Sequence, residues 1–150
     1  MNDSFGLDRF VSAQAPVFDT VVAELQAGRK RTHWMWFVFP QLRGLGYSQT
    51  ARFYGLASRA EAAAYHTHPL LGPRLLRCTQ LVLGSGAPSL HAIFGSPDDM
   101  KFRSCMTLFE QAAPGEPMFG RAMDRWCAGA RDEQTLRLLA GEAPQVRNGS

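Results

Sequence analysis

Cysteine is scarce and scattered. Cys78, Cys105 and Cys127 stand more than twenty residues apart, with no C-x-x-C pair and no histidine at ligand spacing. That excludes a disulfide framework and a zinc site, and it leaves three reduced thiols in apolar helical stretches, where desolvation keeps a thiol inert. The start, MNDSFGLDRF, lacks a basic region followed by an apolar one, and no apolar run approaches the ~18 residues that span a bilayer. A cytoplasmic protein with no membrane partner is the expectation. Strand-like alternation is also missing, as are internal repeats and low-complexity segments. Charge is modest: sixteen Lys and Arg against thirteen Asp and Glu give +3. A protein that coats nucleic acid would carry long basic stripes, so no extended nucleic-acid surface is expected, whereas a small anionic ligand is compatible with this balance.

What is present is apolar content of 45% over 150 residues, enough for one sizeable core. The expectation is one domain over 1–150, with its core at about 5–140 and a frayed tail at 142–150. Leu7, Phe10, Val11, then Phe18, Val21, Val22 and Leu25 recur at helical steps, and Gly28 closes the second helix. Ser48 and Ser58 stand where N-caps belong, and the last helix, DEQTLRLL, starts at Asp132. A Leu-rich helix runs from about Leu70 to Leu83, and a further one opens at Pro117. Ser96-Pro97-Asp98-Asp99 reads as a capping box, with Ser96 the cap of a helix reaching about Ala113 and Phe102, Cys105, Met106, Leu108 and Phe109 its core face. The class is all-α: a compact single-domain bundle of about seven to nine short helices around a central aromatic helix.

That aromatic helix lies in RKRTHWMWFVFPQ, residues 29–41. Trp34 to Phe39 has β-propensity, but a lone strand has nothing to pair with, so a short helix stopped by Pro40 is predicted. Thr32 then caps it, with Arg29, Lys30 and Arg31 just outside, and the free N–H groups, the positive dipole end and the cations suit a phosphate. Trp34, Trp36 and Phe37 offer a flat wall for a ring, at least two of them buried and joined in the core by Trp126. Gln41 can present an amide to a base or ribose edge, and His33 is the one histidine retained as a contact. His66 and His68, at i and i+2, do not share a helical face, so no metal is predicted. The same segment also reads as plain core behind a solvated cationic loop. Downstream, Lys101 and Ser104 flank the apolar face of their helix, and Asp98 lies i−3 to Lys101. This segment and the aromatic one are predicted to meet and share one small site.

These residues resemble a known family, the bacterial DUF1810 proteins. Its K-x-[ST]-H-W-M-W-F-[IV]-F-P-Q pattern and following Gly-Leu-Gly match Lys30 to Gln41 and Gly44-Leu45-Gly46. Its A-x-x-Y-x-x-H-P-x-L-G-x-R-L pattern is similar to Ala62 through Leu75, and F-G-x-x-D-x-x-K-x-x-S-x-M-T-L-F is similar to Phe94 through Phe109. The label calpastatin-like, sometimes given to members, does not suit a chain this compact and aromatic. The succession of a His-Pro loop, a Leu-rich helix and a Phe-Gly turn also resembles the NADAR superfamily, all-α N-glycosyl hydrolases of ADP-ribose-linked substrates. The NADAR signature E-H-x-Y-Q-x-x-K has no equivalent here, because His33-Trp34 is followed by Met-Trp-Phe, so its catalytic Glu and Lys are not carried over.

The expected function is binding of an ADP-ribose-like nucleotide or N-glycosidic ADP-ribose conjugate, without cofactor or metal, and, if the protein is an enzyme, hydrolysis of the N-glycosidic bond. Pyrophosphate would rest on Lys30 to Thr32, Trp34 or Trp36 would line the ring site, and Asp98 or Lys101 would stabilise charge at the glycosidic carbon. The alternative is a non-catalytic interaction domain whose aromatic groove takes a peptide. Converging polar groups in a closed pocket would favour the first, and an open apolar groove the second.

Overall fold

The computed structural model describes residues 5–142, and among these there are ten α-helices, one 3-10 turn and no strand. The tail expected from residue 142 thus lies, from 143 onward, outside the described residues. In chain order the helices are α1 (Asp8–Gln14), α2 (Phe18–Gln26), α3 (Met35–Val38), α4 (Gln49–Tyr54), α5 (Arg59–Thr67), α6 (Leu71–Leu83), α7 (Leu90–Phe94), α8 (Asp98–Ala112), α9 (Met118–Trp126) and α10 (Glu133–Ala140). The 3-10 turn, Arg43–Leu45, lies between α3 and α4. No described helix is long and apolar enough to cross a membrane.

The helix enclosed on every side through its middle is α8, not the aromatic one. Phe102 and the unbroken run Ser104 to Phe109 are all buried, which a helix achieves only when neighbours surround it. Helices α5, α7, α9 and α10 pack on α8, while α6 packs on α5 and α9 and carries α2. Edge-to-face rings tie the layers together: Phe39 meets Phe102 at 5.1 Å and Phe94 at 5.8 Å, and Phe10 meets Tyr65 at 5.1 Å. Cys78 and Cys105 are buried fillers. Burial pushes the Cys78 thiol up to about 12 and raises those of Cys105 and Cys127 as well, so none is a ready nucleophile.

Local signals act where the chain supplies them. The Ser48 and Ser58 hydroxyls accept the N–H groups of Ala51 and Glu61, each at 3.1 Å, and the Asp132 carboxylate accepts Thr135 N–H at 3.0 Å. Each such cap is worth ~1 kcal/mol. Ser96 is different. The Ser96–Pro97 peptide is cis, Pro97 occupies the cap position, and α8 begins at Asp98, one residue later than a capping box requires. Asp98 therefore stands in the first turn, where the helix dipole favours a carboxylate.

Helix α3 is a single turn, and Pro40 ends it. At 100° per residue, Met35, Val38 and Phe39 fall on the inner side with Trp34, and all four are buried. Trp36 and Phe37 fall on the outer side and are half-buried. The aromatic helix is thus not apolar-packed on all sides, and only one of the three candidate rings is buried. Trp126 is half-buried at the edge of the core, its indole N–H donating to the Val82 carbonyl at 2.9 Å.

Candidate functional site

The segment Lys30 to Gln41 and the start of α8 do lie against each other. Lys30 N–H donates to the Ile93 carbonyl at 2.7 Å, which anchors the cationic run to the end of α7. Its ammonium then reaches Asp98 Oδ2 at 3.0 Å and lies 5.2 Å from the Trp34 ring centroid. Lys101, one turn into α8, approaches Asp98 Oδ1 at 3.7 Å and lies 4.9 Å from the Trp36 ring centroid. Two cations and one carboxylate are thereby set between two indoles. The Lys30 side chain is 8% exposed and that of Lys101 is 24% exposed, so the first is enclosed and the second stands at the rim.

Trp36 and Lys101 form one side of a narrow groove completed by Met35, Phe39, Gln41, Ala51, Tyr54 and Gly55. Its volume is about 10 Å³, room for about one water. The Gln41 backbone carbonyl accepts Leu56 N–H at 2.9 Å, and its side-chain amide has no partner among the described residues. Gly55 brings the end of α4 close to the backbone of Arg43, where a Cβ would collide with it.

The phosphate cradle expected at Lys30 to Thr32 does not form, because Glu24 takes its donors. From α2, Glu24 Oε1 accepts the backbone N–H of Arg31 at 2.8 Å, that of Thr32 at 3.1 Å, and the Trp34 indole N–H at 2.9 Å. Its Oε2 accepts the Thr32 hydroxyl at 2.7 Å. Burial opposes the charge on Glu24, but these four hydrogen bonds outweigh it and hold the carboxyl down at about 2. Thr32 consequently caps nothing; Trp34 is the N-cap residue of α3, and a one-turn helix has no free N-terminus to offer.

The other candidates divide. Trp34 is core, with its ring buried and its N–H spent. Phe37 packs on Tyr54 at 5.4 Å, and its carbonyl accepts Gln14 Nε2 at 2.6 Å, so it serves the α1 side and does not line the groove. His33 is exposed. Ser104 is buried and donates to the Met100 carbonyl at 3.2 Å, within its own helix. Trp36, Gln41, Lys101, Asp98 and Lys30 remain as a contiguous set. Sequence reasoning missed Glu24, Tyr54 and Gly55. Glu24 had a signal: it lies three residues after Val21 and beside Leu25, in phase with the buried face of α2, where an acid needs partners.

Three wider clefts lie elsewhere among the described residues, none lined by a residue assigned to the site from the sequence. One of about 360 Å³ lies between the 3-10 turn and α10, one of about 630 Å³ beside α4, and one of about 400 Å³ between α7, the start of α8 and the end of α9.

Residues 4–139 match the model of a protein family described as DUF1810, protein of unknown function. The chain is also similar to a solved structure, the conserved hypothetical protein Rv1873 from Mycobacterium tuberculosis. The two share 54% identity over 92% of this chain and 99% of that one, with a TM-score of 0.91. No curated protein matches.

Proposed function

Starting from the fact that this chain belongs to the DUF1810 family, we propose that it binds an ADP-ribose-like nucleotide at the Trp36–Lys101 groove and acts on its N-glycosidic bond. The observation that carries the reading is the convergence of Lys30 and Lys101 on Asp98 beside a half-exposed indole. Converging polar groups in a narrow groove favour a ligand with charge and a flat ring over a peptide, which needs an open apolar trough.

The two lysines differ in what they can do. Lys30 is enclosed, at 3.0 Å from Asp98, and holds that carboxylate in place. Lys101, at 3.7 Å and at the rim, can leave Asp98 for a ligand phosphate, and in doing so it uncovers the face of Trp36 and widens the groove. Gln41 supplies an amide to the edge of the ring or ribose. Asp98 then faces the ribosyl carbon. As the C–N bond breaks, its electron pair leaves with the nitrogen, and the carboxylate stabilises the positive charge on the ring. Water adds its oxygen to that carbon and gives a proton to solvent or to the departing nitrogen. The chemistry is that implied by the NADAR resemblance, with these residues in roles assigned from their own positions.

The test is a thermal-shift and calorimetric screen of the wild-type protein with ADP-ribose, NAD and inorganic pyrophosphate. A ligand present at a hundred times its dissociation constant adds ~2.7 kcal/mol to stability. Binding that is retained in Asp98→Asn while turnover of an N-ribosyl substrate falls at least about a hundredfold supports the reading. Absence of binding to all three ligands overturns it.

A further inference from the structure

The net charge of +3 hides an uneven distribution. Between Glu24 and Glu61 the sequence has no acidic residue. That span carries six cations, Arg29, Lys30, Arg31, Arg43, Arg52 and Arg59, so the rest of the chain nets −3. It also holds seven of the sixteen Phe, Trp and Tyr residues. The two acids that bound it are turned inward. Glu24 is spent on the Arg31–Trp34 segment, and Glu61, 2% exposed, accepts Arg9 Nη2 at 2.9 Å and Ala57 N–H at 2.6 Å. Neither reaches the surface of the span they enclose.

On that surface two aromatic side chains stand in water. Tyr47 is 84% exposed and Phe53 is 56% exposed. Phe53 rests edge-on against Tyr54, with centroids 4.8 Å apart at 81°, so the ring is braced and presents a face outward. Beside them the cleft of about 630 Å³ is lined by Arg43, Gln49, Thr50, Arg52, Phe53 and Tyr54, without a carboxylate. Arg43 is fixed in place: its Nε donates to the Arg52 carbonyl at 3.1 Å and its Nη2 to the Gly55 carbonyl at 3.3 Å, and its Nη1 has no partner among the described residues. The Arg52 guanidinium has no partner among the described residues.

We infer that this face, α4 with the 3-10 turn before it, docks a short stretch of single-stranded nucleic acid. The occupant follows from what the face leaves unsatisfied. Cations without acids call for an anionic chain, and exposed flat rings call for flat partners. A single-stranded polynucleotide carries a phosphate and a stackable base in every unit. An acidic peptide would neutralise the arginines and leave Tyr47 and Phe53 in water, and a duplex keeps its base faces stacked on each other. The face is local, confined to α4 and the turn before it, which fits a chain whose overall charge is too small for an extended coat. Its cleft shares only Tyr54 with the lining of the Trp36 groove, so it is a second site that does not depend on the nucleotide reading.

Fluorescence anisotropy with a labelled oligothymidylate at low salt tests this, with the matching duplex and polyglutamate as competitors. The single strand is expected to bind and to be displaced by neither competitor at equal concentration. Tyr47→Ser and Phe53→Ser are each expected to weaken binding roughly tenfold without lowering the melting temperature. Arg52→Gln should reduce the slope of log K against log salt by about 0.7. Lys101→Met should bind the strand as the wild type does, which separates this site from the nucleotide groove. No binding at low salt, equal competition by polyglutamate, or unchanged affinity in both aromatic variants would overturn the inference.

Discussion

Two carboxylates from other helices meet the start of the aromatic segment, and they use different kinds of donor. Glu24 is met by four groups that cannot leave: two backbone N–H groups, a hydroxyl and a buried indole N–H, all within 3.1 Å. Asp98 is met by two ammonium groups on long flexible stems, at 3.0 and 3.7 Å. Backbone donors commit a carboxylate to the fold, whereas a lysine can be exchanged for a ligand at the cost of one rotamer change. The motif therefore divides along its length. Its inner members, Trp34 and Lys30, are enclosed, whereas Trp36, with Lys101 of α8 beside it, stands at the rim.

The two tryptophans give the strongest test of that division. Trp34 is 1% exposed and loses both its packing and its bond to Glu24 when truncated, so Trp34→Ala should cost ~3–5 kcal/mol, a large part of the stability of a domain this size. Trp36→Ala removes a half-buried ring from the rim and should cost only ~1 kcal/mol. Urea unfolding of the two variants measures both. Equal losses would erase the distinction between inner and outer faces.

Glu24 gives a pH test with a defined sign. Its folded-state carboxyl is held at about 2, below the ordinary 4.5, so its contribution is fully present above pH ~5 and is lost as pH falls toward 2. In Glu24→Gln the added amide hydrogens face the same donors, so the variant should be destabilised at neutral pH and its stability should change less between pH 7 and pH 3 than that of the wild type. An unchanged acid profile would mean that the carboxylate is not held as described.

The helices were legible where one residue decides: a serine that caps, a proline that stops, apolar positions spaced by three and four. The meeting of the aromatic segment with α8 was legible too, because both carry polar residues at the edge of an apolar face. What failed was the assignment of Thr32, whose donors looked free only because Glu24, eight residues earlier on another helix, was not considered. The burial of Trp36 and Phe37 failed for a related reason. A helix of one turn cannot be enclosed on all sides by neighbours that pack on its inner face alone. Ser96 failed by a single residue, since Pro97 takes the cap position that the capping pattern assigns to the serine. For Thr32, hydrophobic periodicity located the element, and a partner on another helix decided what its polar groups do.

The smallest expected change in stability is also the one that separates the two lysines most cleanly. Lys30→Met removes an enclosed ammonium 3.0 Å from Asp98 and over the Trp34 ring, and should cost ~1–2 kcal/mol. Lys101→Met keeps the apolar stem that lies along Trp36 and loses a cation that is 24% exposed, so it should cost well under ~1 kcal/mol. If Lys101 is the group that transfers to a ligand phosphate, its variant should melt close to the wild-type temperature yet lose most of the stabilisation by ADP-ribose or pyrophosphate. Lys30→Met should melt lower and keep that response in proportion. The opposite pattern, with ligand response lost in the Lys30 variant and intact in the Lys101 variant, would move the anion contact to the enclosed lysine and require the groove to open from the Trp34 side.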